Sequence, residues 1–252
     1  MPYKIFKGVY ENISNLNDSN LFEKKIYLEN NYSKATNLIK TKLLSNEYSI
    51  IYYLSILISL NRNKVLDFGG GFFNTYIKIK NSNLCNCKII FDNFECEEVH
   101  KYIKKKNLFS HIKKIKKTDR VRVLSNLKNL EKNYDLLHFG SVIEYIDDLQ
   151  SCLDSIFQYT TKPEFISFSD VYLTSLDRNF YTISNYYGVE HKYLIRSKKK
   201  FEEILKKNNY KIINIERLVL PVKGEFKFYD MSNLPQKYRI NHTYNYLLKK
   251  ND

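Results

Sequence analysis

"NKVLDFGGGFFNTYIKIK", from Asn63 to Lys80, is the stretch whose reading decides the fold. It opens with a short apolar run, "KVLDF", suited to a strand buried on both faces. The run carries an aspartate, Asp67, one residue before its end. Gly69, Gly70 and Gly71 follow in a row, in a chain with only seven glycines. Glycine tolerates positive φ and lets a ligand approach the main chain. In open α/β sheets ligands lie beyond the carboxyl ends of the strands, so a glycine turn here marks a candidate binding site.

Working outward, similar short runs recur at "KIIFD" (Lys88 to Asp92), "YDLLHF" (Tyr134 to Phe139) and "FISFSD" (Phe165 to Asp170), with a weaker one at "VRVL" (Val121 to Leu124). Stretches of helical character separate them: "ECEEVHKYIKKKN", "VIEYIDDLQSCLDSIFQYT" and "KKKFEEILKKNN". Alternation at this spacing predicts an α/β fold, an open, mostly parallel sheet with helices on both faces. Two final strands are expected at "YKIINIERLVL" and "GEFKFYDM". Residues 1–62 read as an N-terminal helical extension, with helices at Leu21 to Asn30, Tyr32 to Leu44 and Tyr48 to Leu60. Residues 63–252 then form the ligand-binding domain.

Composition narrows the class. At 252 residues and 43% hydrophobic, the chain can bury one large core. Its net charge of +14 comes from lysines spread at helical spacing, as in "KYIKKKNLFSHIKKIKK", which is the pattern of solvated helix faces. No nucleic-acid partner is expected. The proline-bearing tetrad that stacks a flipped base in base-modifying enzymes has no counterpart in "HFGSVIEY", and no proline precedes a cysteine that could serve as a nucleophile on a base. Four cysteines do not make a secreted scaffold at this length, and their spacing fits no common zinc site. The apolar "YSIIYYLSILISL" (Tyr48 to Leu60) is too short to cross a bilayer. A cytoplasmic protein with no transmembrane segment and no metal is expected.

Two cofactor classes compete for the glycine turn. A dinucleotide fingerprint needs a third glycine where Asn74 stands, and Asp67 would repel a pyrophosphate. The same carboxylate suits S-adenosylmethionine, which carries an ammonium and a sulfonium and no phosphate. Asp92, ending "KIIFD", is the candidate acceptor for both ribose hydroxyls. Gly140 and Ser141, between the "YDLLHF" strand and the next helix, would face the reacting methyl group. A non-catalytic cofactor-binding scaffold and a nicotinamide-dependent oxidoreductase are the alternative readings.

With these residues in place, the chain resembles class I S-adenosylmethionine-dependent methyltransferases through "VLDFGGG" and "YDLLHFGSVIEYIDD". More narrowly it resembles a methyltransferase family found in bacterial surface-polysaccharide gene clusters, through "FKGVY" (Phe6 to Tyr10), "SVIEYIDD" (Ser141 to Asp148) and "NYYGVEHKYLIRSKKKFEEILKKNNYKII". That resemblance implies methyl transfer to an oxygen of a capsule or lipopolysaccharide precursor, either a sugar hydroxyl or a phosphate- or phosphoramidate-type group. For a hydroxyl acceptor the candidate bases are His191, Asp170 and Glu144, while His138 inside "DLLHF" reads as a core histidine. Tyr145, Tyr186, Tyr187, Lys192 and Arg196 are the candidate acceptor-binding residues, the last two for an anionic group.

Overall fold

A computed structural model describes residues 4–11, 21–39, 48–82, 87–186, 188–219 and 229–251. Its strands are β1 (Lys4–Tyr10), β2 (Lys64–Phe68), β3 (Ile90–Phe94), β4 (Arg120–Leu124), β5 (Leu136–Gly140), β6 (Phe165–Val171), β7 (Leu173–Thr174), β8 (Phe180–Tyr186), β9 (Val189–Ser197), β10 (Tyr210–Val219), β11 (Tyr229–Asp230) and β12 (His242–Lys250). Its helices are α1 (Lys25–Leu38), α2 (Tyr48–Ser59), α3 (Asn74–Asn81), α4 (Glu97–Lys105), α5 (Leu108–Ile115), α6 (Leu149–Phe157) and α7 (Lys198–Lys207). None is long and apolar enough to cross a membrane among the described residues.

The main sheet has seven strands in the order β10-β12-β6-β5-β2-β3-β4. Strands β6, β5, β2, β3 and β4 are parallel, and β12 runs antiparallel to both neighbours. The order reverses direction beside β2, so the loops after β2 and β5 open next to each other at the carboxyl edge. One face buries a core shared with α1 to α5, and the other packs α6 and α7.

Register shows how the sheet changes character along its strands. Val121, Phe91, Val65, Leu136 and Phe165 form one apolar row. Two residues further on, on the same face, the row reads Val123, Asn93, Asp67, His138, Ser167. The next row, on the opposite face, reads Leu124, Phe94, Phe68, Phe139, Phe168, Tyr246. There Phe68 stacks on Phe94 at 4.9 Å and Phe139 on Phe168 at 5.0 Å between centroids. The carboxyl half of the sheet is therefore polar on one side and an aromatic ladder on the other.

A second sheet, β11-β1-β8-β9-β7, was not foreseen. It takes its N-terminal strand from the segment read as a helical extension, and its hairpin β8–β9 carries the candidate acceptor-binding residues Lys192 and Arg196. Aromatic and β-branched residues recur through "FYTISNY" and "VEHKYLIRS", and the Gly188 N–H donates to Asn185 Oδ1 at 3.0 Å to close the turn. The last strand also differs from expectation. It is β12, not "GEFKFYDM", of which 224–228 lie outside the described residues and 229–230 form β11.

Candidate functional site

The glycine turn is built by three different constraints. Gly69 has φ +70°, and a Cβ there would collide with Val142 in the loop after β5. A Cβ on Gly70 would run into Asp67 Oδ2 and Asn93 Oδ1. Gly71 has φ +61°, but its Cβ would meet only Asn74 Nδ2, at 3.4 Å. Hydrogen bonds then pin the turn: Gly69 N–H to Phe94 O at 2.8 Å, Asn93 Nδ2 to Gly71 O at 2.9 Å, and Gly71 N–H to Glu95 Oε1. Phe72 and Phe73, bulky where a small residue is usual, point into the helical layer, 6.0 Å from Tyr102 and 6.3 Å from Phe109. They leave the turn itself clear.

Beneath the turn lies Asp67, fully buried, with neither carboxylate oxygen in a hydrogen bond of ordinary geometry. Burial pushes its pKa up to about 7, and only Thr75 and Lys78 counteract this. Glu95 follows the end of β3, is buried, and is pushed up to about 8 by burial and by Asp67, against the Gly71 and Cys96 N–H groups. Two acids with raised pKa values thus flank one glycine turn. Two buried acids so perturbed, side by side under a glycine turn, are a candidate site for a cation.

Asp92 proves to be elsewhere. It sits in the middle of β3 and faces the opposite side of the sheet from Asp67. Arg122 Nε donates to Oδ1 at 2.7 Å, Arg122 Nη2 and the Tyr134 hydroxyl (2.6 Å) to Oδ2. Both oxygens are committed to this network, so the ribose assignment to Asp92 is corrected by the geometry. The strand-end acid is Glu95. The signal was present in "KIIFDNFE", but two polar residues inside a strand were read as its end.

His138 shares the polar row with Asp67. Its Nδ1 lies 2.8 Å from Ser167 Oγ and its Nε2 3.4 Å from Ser169 Oγ, and burial lowers its pKa to about 3. It is a neutral, satisfied histidine. Gly140 leaves room for it: a Cβ there would lie 3.1 Å from His138 Nε2. At the tips of β5 and β6, Ser141 (φ 50°) and Asp170 (φ 58°) adopt the left-handed region, costly for non-glycine residues. The Ser141 hydroxyl donates to Asp170 Oδ2 at 3.1 Å, and the Asp170 N–H to Asn245 Oδ1 at 3.0 Å.

The segment after Ser141 is a 3₁₀ turn, Ile143–Tyr145, ahead of α6, not a continuous helix. The second sheet clasps it. Arg196, buried, donates from Nη2 to the carbonyls of Ile143 (3.1 Å) and Ile146, and from Nη1 to Asp147 O at 3.5 Å. The Tyr193 hydroxyl donates to Glu144 Oε1 at 3.0 Å, and Lys192 pairs with Asp147 at 2.8 Å. Arg196 and Lys192 are therefore engaged within the chain, and Arg196 is not placed to hold an anionic acceptor. Arg178 is likewise engaged, by Glu11 and Tyr238. Glu144 and His191 are brought together around Tyr193 and Tyr145, whose ring lies 5.6 Å from His191 and 5.5 Å from Phe22. Tyr187 and the side chain of Tyr186 lie outside the described residues. Tyr193, which links the two sheets, escaped the sequence reading because its strand did.

No protein-family model matches the sequence, and no curated protein does. Solved structures do resemble the fold. Magnesium protoporphyrin IX methyltransferase from Synechocystis PCC 6803, solved with bound SAM, superposes with a TM-score of 0.52 at 8% identity, over 95% of this chain and 100% of that one. A glycopeptide N-methyltransferase complexed with S-adenosylmethionine gives 0.51 at 8% identity, over 83% and 96%. The 1,6-didemethyltoxoflavin N1-methyltransferase of Burkholderia thailandensis, with bound S-adenosylhomocysteine, gives 0.50 at 12% identity, over 97% and 95%. The mixed α/β sheet of seven strands, parallel but for β12 and flanked by helices, is the Rossmann-like fold that this chain shares with those methyltransferases.

Proposed function

We propose that this chain is an S-adenosylmethionine-dependent methyltransferase. The observation that carries the reading is Asp67: a fully buried carboxylate without an ordinary hydrogen bond, under a glycine turn at the carboxyl end of β2. A buried unpaired charge is costly and is retained where a ligand completes it. The ligand that fits an acid here is cationic, and the bound cofactors named for the structural neighbours support the choice.

The residues fit the cofactor as follows. Asp67 would receive its ammonium, Gly70 makes room for the Asp67 carboxylate itself, Gly71 leaves the main chain open, and Glu95 would accept the ribose hydroxyls in place of Asp92. Gly140 and Ser141 would border the reacting end. S-adenosylmethionine, when bound, supplies a methyl group already activated on sulfonium, so the protein's main contribution is orientation, worth ~7–11 kcal/mol. Glu144, set by the Tyr193 hydroxyl, is the best-placed base to take a proton from an acceptor hydroxyl, with His191 beside it and Asp170 as the remaining candidate. Tyr145 would form the acceptor wall.

The acceptor is proposed as an oxygen on a surface-polysaccharide precursor, and this rests on the family resemblance. An anionic acceptor loses its two supporting residues, since Lys192 and Arg196 are engaged internally. A hydroxyl near Glu144 is the favoured form. Titration calorimetry with S-adenosylmethionine and with NAD tests the cofactor. Micromolar binding of the first, weakened about 10- to 100-fold in Asp67→Asn, is expected; binding of NAD alone would overturn it. Labelled methyl transfer to extracted capsule precursors, beside duplex DNA and tRNA, tests the acceptor.

A further inference from the structure

The main sheet ends in β10, and no strand pairs with its outer edge among the described residues. Ten residues present about 34 Å of edge. Soluble proteins normally keep such edges short, charged or covered. This one carries three exposed isoleucines: Ile212 at 36%, Ile213 at 46% and Ile215 at 40% exposure. Its register against β12 shifts between Ile212 and Asn214, so Ile213 is a bulged, extra residue. The bulge decides which side chains share a face. In a regular strand Ile212 and Ile215, three apart, would point to opposite sides. Here both stand on the face of Leu248 and Tyr246, their partners on β12, while Lys211 and Glu216 stand on the other face, beside Lys249 and Asn245.

We propose that β10 pairs antiparallel with β10 of a second copy of this chain, about a two-fold axis between Ile213 and Asn214, so that two sheets become one. The strand is complementary to itself in that register. Ile212 meets Ile215 of the second copy, and Lys211 meets Glu216. Each pairing joins residues of the same face, which the bulge alone makes possible, and each appears twice across the axis. Opposite charges directly across a strand pair are favourable and like charges unfavourable, so the strand's own charge pattern selects a copy of itself. The surface lies at the sheet's side edge, away from the carboxyl-end site, and the inference stands independently of the cofactor reading.

Sedimentation equilibrium of the full chain through the low and middle micromolar range tests it. A dimer is expected. Lys211→Glu sets Glu against Glu216 twice and should weaken the dimer at least about ten-fold. The double variant Lys211→Glu with Glu216→Lys should restore it. Ile215→Asp should give a monomer, with circular dichroism reporting that each variant is folded; should that variant unfold, the charge-swap series decides. A wild type that stays monomeric, or a Lys211→Glu variant that dimerises unchanged, overturns the proposal, as does a folded double variant that stays as weak as Lys211→Glu.

Discussion

Asp67 and Asp92 lie on adjacent parallel strands, one row of register apart, and both are fully buried. They differ in what surrounds them. Asp92 accepts from Arg122 Nε and Nη2, one bidentate edge of the guanidinium, and from the Tyr134 hydroxyl, and Arg122 in turn pairs with Glu131 at 2.9 Å. Asp67 has a glycine turn on one side and neutral His138 in the next strand, with no such partner. A buried carboxylate with its partners in place is part of the framework. One left without them raises the energy of the ligand-free fold, and that is the mark of a binding site.

The largest expected effect lies on the framework side. Asp92→Ala leaves a guanidinium and a buried hydroxyl without their acceptor, and should lower unfolding free energy by about 3 kcal/mol or more. Urea denaturation of ligand-free protein measures it, and a loss below about 1 kcal/mol would break the contrast. Asp67→Asn should do the reverse: it removes an unpaired charge, so the ligand-free protein should become more stable at neutral pH. The same variant should bind S-adenosylmethionine about 10- to 100-fold more weakly, the worth of a charge-assisted hydrogen bond at ~1.5–3 kcal/mol.

Acidity sharpens the comparison further. The unfolded chain releases the Asp67 proton near pH 4, but the folded chain holds it to about 7, and Glu95 to about 8. The unfolded state therefore binds fewer protons across that window, and these two groups make ligand-free stability fall as pH rises from about 4 to 8. Cofactor binding needs the charged carboxylates, so affinity should rise from pH 6 to 8. Thermal melts and calorimetry at three pH values check both signs, and Asp67→Asn should flatten both slopes. A smaller effect is expected at Gly71. Gly71→Ala forces a Cβ into the left-handed region but meets little, so a cost of about 1 kcal/mol and a measurable loss of cofactor affinity should appear together. Gly69 is no clean probe of binding, because any side chain there strikes Val142.

The parallel sheet was legible because strands buried on both faces leave continuous apolar runs, and those at Lys64, Tyr134 and Phe165 lie where β2, β5 and β6 form. Asp67 and the glycines stood out because their chemistry is local: an acid before a turn, and residues without side chains where the chain must approach something. What local sequence could not decide was direction and partnership. Whether Asp92 or Glu95 ends the strand depends on which residues β4 pairs with. Whether Arg196 holds an anion or the Ile143–Asp147 carbonyls depends on a sheet assembled from β1, β7, β8, β9 and β11, in which Lys4 pairs with Tyr229 across most of the chain and only on folding. The sequence alone determined the period of burial and the place of the glycine turn; tertiary structure alone determined which buried charges acquire partners, because a charge's partners come from strands and sheets that the chain brings beside it only on folding.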